Sequence, residues 1–170
     1  MRARTASLTS IRKTRRDDKD AIAQILEETG VFTRDEIVVA LELIDCATTD
    51  ANQQDYVIYT SVDEVDQVTG YYCIGPTPLT RGTYDLYWIA VKPSLHGSGI
   101  GKQLLRHAEE WVMAQDGRLI VAETSSQLKY ESTRMFYIKN EYREVARVRD
   151  YYTVGDDLVI YGKYVSQSGV

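Results

Sequence analysis

Cysteine and histidine are scarce: the 170-residue chain has only Cys46, Cys73, His96 and His107. Two isolated thiols build no disulfide framework and have no metal-like spacing, so both are expected to be reduced and buried. Without a His/Cys cluster a catalytic zinc site has no support, and no metal is expected. Proline occurs three times and no Pro/Gly-rich linker or repeat divides the chain, so residues 1–170 are expected to form one domain. No apolar run is long enough to cross a bilayer, and the start lacks the apolar core of a secretory signal, which points to a cytoplasmic protein without a membrane partner.

Acid is missing from residues 1–16, which carry six Arg or Lys and leave 14 basic against 25 acidic residues beyond. An acidic body disfavours nucleic acid and suits cationic partners such as amines or basic peptides, although an ordinary solvated surface reads the same way. The basic start faintly resembles a transit peptide; it reads equally as a flexible tip, about residues 1–9, entering the first strand.

What the chain does have is a dense glycine turn. Val91–Lys102 reads V-K-P-S-L-H-G-S-G-I-G-K, with Gly97, Gly99 and Gly101 lying between two regular segments. Tyr84–Val91 upstream is rich in aromatic and branched residues, as in a buried strand. Downstream, Ile100, Leu104, Leu105, Ala108, Trp111 and Val112 recur at helical spacing. A strand-to-helix turn of this kind offers free amides and a positive dipole end to an anion. A P-loop is excluded, because His96 stands five residues before Gly101 and Gln103 replaces the hydroxyl residue after Lys102. The G-x-G-x-G spacing also departs from the dinucleotide fingerprint.

The remaining elements follow from periodicity and punctuation. A strand is expected at Ile11–Arg15, a helix from about Asp18 to Gly30, and a second helix opened by the capping box Thr33-Arg34-Asp35-Glu36. Strands follow at Tyr56–Val62, Val68–Ile74 and Thr83–Val91. After the glycine turn come a helix to about Gly117, a strand at Arg118–Thr124 and a short helix at Ser132–Lys139. The last strand pair, Arg143–Asp150 and Leu158–Tyr164, is joined around Gly155-Asp156-Asp157.

The turn resembles the Q/R-x-x-G-x-G/A loop of the GNAT superfamily of acyl-CoA-dependent N-acyltransferases, with His96, Gly99 and Gly101 at its fixed positions. The order βααβββαβαββ is that of the GNAT fold, an α/β (α+β) domain with a mixed, mainly antiparallel sheet and helices on both faces. The resemblance implies acetyl-CoA as cosubstrate, its pyrophosphate on His96, Gly97, Ser98, Gly99, Ile100, Gly101 and Lys102. Pantetheine would run beside Ile89, Ala90 and Val91 on an edge freed by splayed strands. His96 departs from the usual Gln or Arg, which implies a weaker phosphate contact.

The resemblance further implies a base and an acid. Asp85 and Glu123 both stand where relatives place a base, on otherwise apolar strands that would raise a carboxylate's pKa. Tyr137 matches the tyrosine that protonates the departing thiolate, and also reads as one core residue among 13 tyrosines. Ser132 replaces a frequent Asn, and Asn140-Glu141 replaces Leu-Gly, with Asn140 expected to take the left-handed helix-ending conformation. Asp150-Tyr151-Tyr152 with Asp156 and Asp157 resembles the border of the acceptor pocket, and Glu27, Glu28, Asp35 and Glu36 lie in the helical region that often lines the acceptor side. The expected reaction is acetylation of a primary amine on a small molecule or peptide; a CoA-binding sensor without turnover is the alternative. Many relatives are dimers, so a homodimer is among the expected states.

Overall fold

The computed structural model describes residues 9–165, so most of the expected N-terminal tip lies outside the described residues. Seven strands lie in the order β1-β2-β3-β4-β5-β7-β6. They are β1 (Ser10–Lys13), β2 (Val57–Val62), β3 (Val68–Pro76), β4 (Thr83–Val91), β5 (Leu119–Ser125), β6 (Arg143–Thr153) and β7 (Asp156–Tyr164). Helices α1 (Lys19–Thr29), α2 (Arg34–Thr49), α3 (Ile100–Ala114) and α4 (Glu131–Lys139) complete the expected order. The sheet is mixed: β4–β5 is parallel, whereas β1–β2, β5–β7 and β6–β7 are antiparallel. The described chain forms two compact units, one of residues up to Cys73 with Trp88–His107, the other of Ile74–Tyr87 with residues from Ala108 onward.

In the first unit, the apolar stripe of α1 (Ile22, Ile25, Leu26) meets Ala40 and Ile44 of α2 over Ile58, Tyr71, Cys73 and Ala90. Gly30 ends α1 with φ 67°. The capping box forms as its spacing requires: Glu36 N–H donates to Thr33 Oγ1 at 3.2 Å, and Thr33 N–H to Glu36 Oε2 at 2.6 Å. The first strand stops at Lys13 because Arg16–Asp18 coil into a 3-10 turn before α1. There Asp18 is buried and takes two hydrogen bonds from the Arg12 guanidinium, at 2.7 and 2.9 Å, plus the Arg15 N–H at 2.7 Å. Burial opposes its charge, yet these donors hold its carboxyl below the ordinary range. Arg12 and Arg15 also bind Asp66, so part of the basic start is structural ion pairing. Cys73 is buried as expected, but Cys46 is exposed on α2.

In the second unit, β5 pairs along its whole length with β7, from Leu119↔Tyr164 to Ser125↔Leu158. Its parallel register with β4 runs from Thr83↔Leu119 to Asp85↔Val121. The β6–β7 strands extend further than expected, and the turn contracts to Val154-Gly155. Gly155 adopts φ 84°, and its N–H is caught by Asp150 Oδ1 at 2.6 Å. After α4 the left-handed position falls on Glu141 (φ 70°), while Asn140 has φ −102°. Asn140 spends its side-chain amide on the Phe136 carbonyl. The adjoining Lys163 ammonium binds Glu109 and the Asn140 carbonyl and approaches Glu141 to 3.6 Å, which neutralises the helix end.

Replacing Thr33 with Ala should lower stability by about 1 kcal/mol, the usual value of an N-cap hydroxyl. A denaturation midpoint equal to wild type would remove that role from the capping box.

Candidate active site

The glycine turn begins where β4 ends. Pro93–Leu95 form a 3-10 turn, and the amides of Leu95, His96 and Ser98 are spent on the carbonyls of Lys92, Pro93 and Leu95. The Ser98 hydroxyl also donates to the Leu95 carbonyl, so neither donor of Ser98 points to an outside anion. Gly97 and Gly99 have φ of 79° and 94°, and a Cβ at either would meet nothing within 4 Å. Backbone conformation, not crowding, therefore demands glycine there. Gln103 N–H bonds back to the Gly99 carbonyl, leaving the amides of Ile100, Gly101 and Lys102 as first-turn donors of α3. The turn thus fits a diphosphate through amides of glycine and first-turn residues.

His96 behaves differently from the expectation of a phosphate contact. Its Nε2 lies 2.9 Å from the Val91 carbonyl, which can only accept, so Nε2 carries the proton. With Nε2 spent on Val91, only Nδ1 is left to meet a phosphate.

The two candidate bases lie in the second unit on adjacent strands. Asp85 is opposite Val121 in the parallel register, and Glu123 follows two residues along, on the same face. Burial, followed by the negative charge of Asp85, pushes the Glu123 carboxyl above the ordinary glutamate range. Glu123 is nonetheless an exposed residue, so only part of its carboxyl environment is desolvated. Asp85 accepts a hydrogen bond from Thr77 Oγ1 at 2.8 Å. Thr77 was not singled out from sequence; it belongs to the β3–β4 connection, and its meeting with Asp85 depends on the path of that loop.

Tyr137 is buried on α4, its ring stacked on Tyr161 at 5.6 Å and tilted against Tyr142 at 5.6 Å. Burial pushes its phenol pKa up, so the hydroxyl stays protonated. It is a packed tyrosine whose hydroxyl is protonated, and the burial that keeps it so also opposes release of the proton.

The acidic end of the last hairpin is tied into the hairpin itself. Asp156 is buried and accepts from the Ser125 hydroxyl and from Gln127 Nε2. Asp157 accepts from the Asp150 N–H and from Arg147, and these two donors, in that order, lower its pKa. Both carboxylates therefore serve the hairpin. Tyr151 and Tyr152 are exposed and meet edge-on at 5.0 Å. In the helical region Glu28 accepts from Gln24 and Glu36 belongs to the cap. No group of His, Cys, Asp and Glu suited to a metal ion occurs among the described residues.

The element order and the glycine turn together define an acyl-CoA-dependent acyltransferase class. A model of the acetyltransferase (GNAT) domain matches residues 52–144, just over half of the chain. A GNAT-family protein of known structure from Desulfovibrio desulfuricans is 39% identical with a TM-score of 0.87, the match covering 94% of this chain and 100% of that one. The chain belongs to the GNAT family of acetyltransferases, whose reaction is acetyl transfer from acyl-CoA. An aminoglycoside 6'-N-acetyltransferase complexed with coenzyme A shares the fold at 17% identity and a TM-score of 0.74, covering 95% of this chain and 99% of that one. The aminoglycoside 6'-N-acetyltransferase from Enterococcus faecium does so at 16% and 0.74, with the same coverage. No curated protein sequence matches the chain.

Replacing Asp156 with Asn would set an amide against two donors in a buried position. Stability should fall by about 1–3 kcal/mol in urea titration, the cost of an unsatisfied buried polar group; a variant as stable as wild type would contradict the network.

Proposed function

We propose that this acetyltransferase moves the acetyl group of acetyl-CoA to a primary amine of a small molecule or peptide, by direct attack within a ternary complex. The observation that carries this reading is the Asp85–Glu123 carboxylate pair, because it raises the affinity for a proton at one defined atom set. Among the described carboxylates with a resolved shift, Glu123 is the one moved upward.

Bound acetyl-CoA supplies an acyl group activated as a thioester. The amides of Gly97, Gly99, Ile100, Gly101 and Lys102 hold its pyrophosphate, and the backbone of Ile89 and Val91 pairs with its pantetheine. An alkylamine with the ordinary lysine pKa near 10.4 is neutral in fewer than about one molecule in a thousand at pH 7, so attack requires a proton acceptor. Glu123 takes that proton, directly or through water. Asp85, held by Thr77, keeps the Glu123 carboxyl basic enough to do so. Tyr137 gives its hydroxyl proton to the departing thiolate.

Direct attack is favoured over an acyl-cysteine because neither thiol suits a nucleophile. Cys73 is buried and its pKa is pushed up, which suppresses the thiolate, and Cys46 is an exposed residue of α2. An acidic body favours a cationic acceptor through long-range charge. The occupied acid and base positions weigh against a sensor without turnover.

A thiol-release screen of amines, peptides and polyamines with acetyl-CoA tests the reading. Release with at least one primary amine is expected; CoA binding without release under any acceptor would favour the sensor. Tyr137→Phe should lower kcat by roughly 10²–10⁴-fold with an unchanged KM for acetyl-CoA; an unaltered kcat would end its acid role. The base must be ionised, so the raised Glu123 pKa moves the acidic limb of the kcat/KM profile upward. Asp85→Asn removes the like charge and should move that limb to lower pH, whereas Glu123→Gln should abolish it. A greater loss of kcat in Asp85→Asn than in Glu123→Gln would make Asp85 the base.

A further inference from the structure

The peptide linking Val91 to Lys92 fixes which way the end of β4 faces. Its N–H donates to the Thr69 carbonyl of β3 at 2.9 Å. The N–H and C=O of a trans peptide point in opposite directions, so the Val91 carbonyl points away from β3. Ala90 does the reverse: its carbonyl lies so close to β3 that a Cβ at Gly70 would come within 2.7 Å of it. Each strand residue directs its N–H and C=O to one side, alternating with its neighbours. Ile89 and Val91 thus present polar groups to the edge away from β3, and Ala90 is removed from the expected pantetheine edge. On that edge the Val91 carbonyl already accepts from His96 Nε2 at 2.9 Å. His96 is exposed, so packing does not force the contact.

We infer that His96 is a positioning residue for the acyl donor: by closing the Val91 carbonyl it ends the pairing edge and ties the glycine turn to it at a fixed distance. The inference rests on the reading that this turn and edge hold acetyl-CoA. An extended amide chain is left the N–H and C=O of Ile89 and the N–H of Val91, which fixes its register and hence how far a thioester reaches. The imidazole acts through Val91, because a phosphate contact would need a proton on Nδ1 as well. A Gln side chain can supply the same amide donor, and an Ala cannot.

The test compares wild type, His96→Ala, His96→Gln and His96→Arg in full-length protein, with coenzyme A binding by calorimetry and steady-state kinetics against acetyl-CoA. His96→Ala should raise the KM for acetyl-CoA roughly two- to tenfold, the value of one hydrogen bond, with kcat within about twofold. His96→Gln should restore the wild-type KM, and melting curves should show all four proteins folded. Nitrogen NMR of the histidines should find His96 protonated at Nε2, with and without saturating coenzyme A. An unchanged or lowered KM in His96→Ala, or a proton residing on Nδ1 alone, would overturn the positioning role. So would rescue by His96→Arg but not by His96→Gln, which would mark a phosphate contact. Wild type that binds no coenzyme A would instead overturn the cofactor-site reading, and this inference with it.

Discussion

A β-strand has two hydrogen-bonding edges, and the way β4 spends them is the constraint on which the proposed chemistry depends. Its neighbours in the sheet are β3 and β5, and its register with β5 covers Thr83 to Asp85. β5 is fully paired on its other side, with β7, through Ser125. The last β4 pair therefore falls at Asp85, the residue whose charge acts on Glu123. At the far end of β4, Lys92 turns its amide to β3 and the Val91 carbonyl faces outward. One strand thus supplies an acidic residue near its start and a backbone edge near its end.

Charge is distributed by the same economy of partners. Asp18, Asp156 and Asp157 are satisfied by nearby donors and stabilise local turns. Glu123 has burial and a like charge acting on it instead, both of which favour its protonated form. Carboxylates with a raised proton affinity are where acid–base function concentrates. Burial keeps the Tyr137 phenol protonated, so its donation to a thiolate would depend on charge developing beside it.

Much of this was legible in the sequence where local chemistry dictates local structure. The Thr33/Glu36 pair, Gly30 and the helical spacing after Gly99 each specify their element within a few residues, and the structure agrees. Periodicity could not foresee donors committed at a distance. The partners of Asp156 and Asp157, namely Ser125, Gln127 and Arg147, lie from 10 to 31 residues away in sequence and are not readable from local pattern. The meeting of Thr77 with Asp85 is hidden for the same reason, and the left-handed residue is Glu141 and not Asn140, whose side-chain amide is spent on the Phe136 carbonyl. The resemblance placed His96 correctly in the loop, but only geometry revealed that its ring is turned to a backbone carbonyl.

In the proposed reaction the outward edge of β4 and the amides after it receive acetyl-CoA. Backbone amide NMR during titration with acetyl-CoA tests this most directly. Large shifts and slowed hydrogen exchange are expected at Ile89, Val91, Gly97 and Gly99 through Lys102, with the Ala90 amide unaffected because it faces β3. Saturation without change at Ile89 and Val91, or a change confined to Ala90, would contradict it.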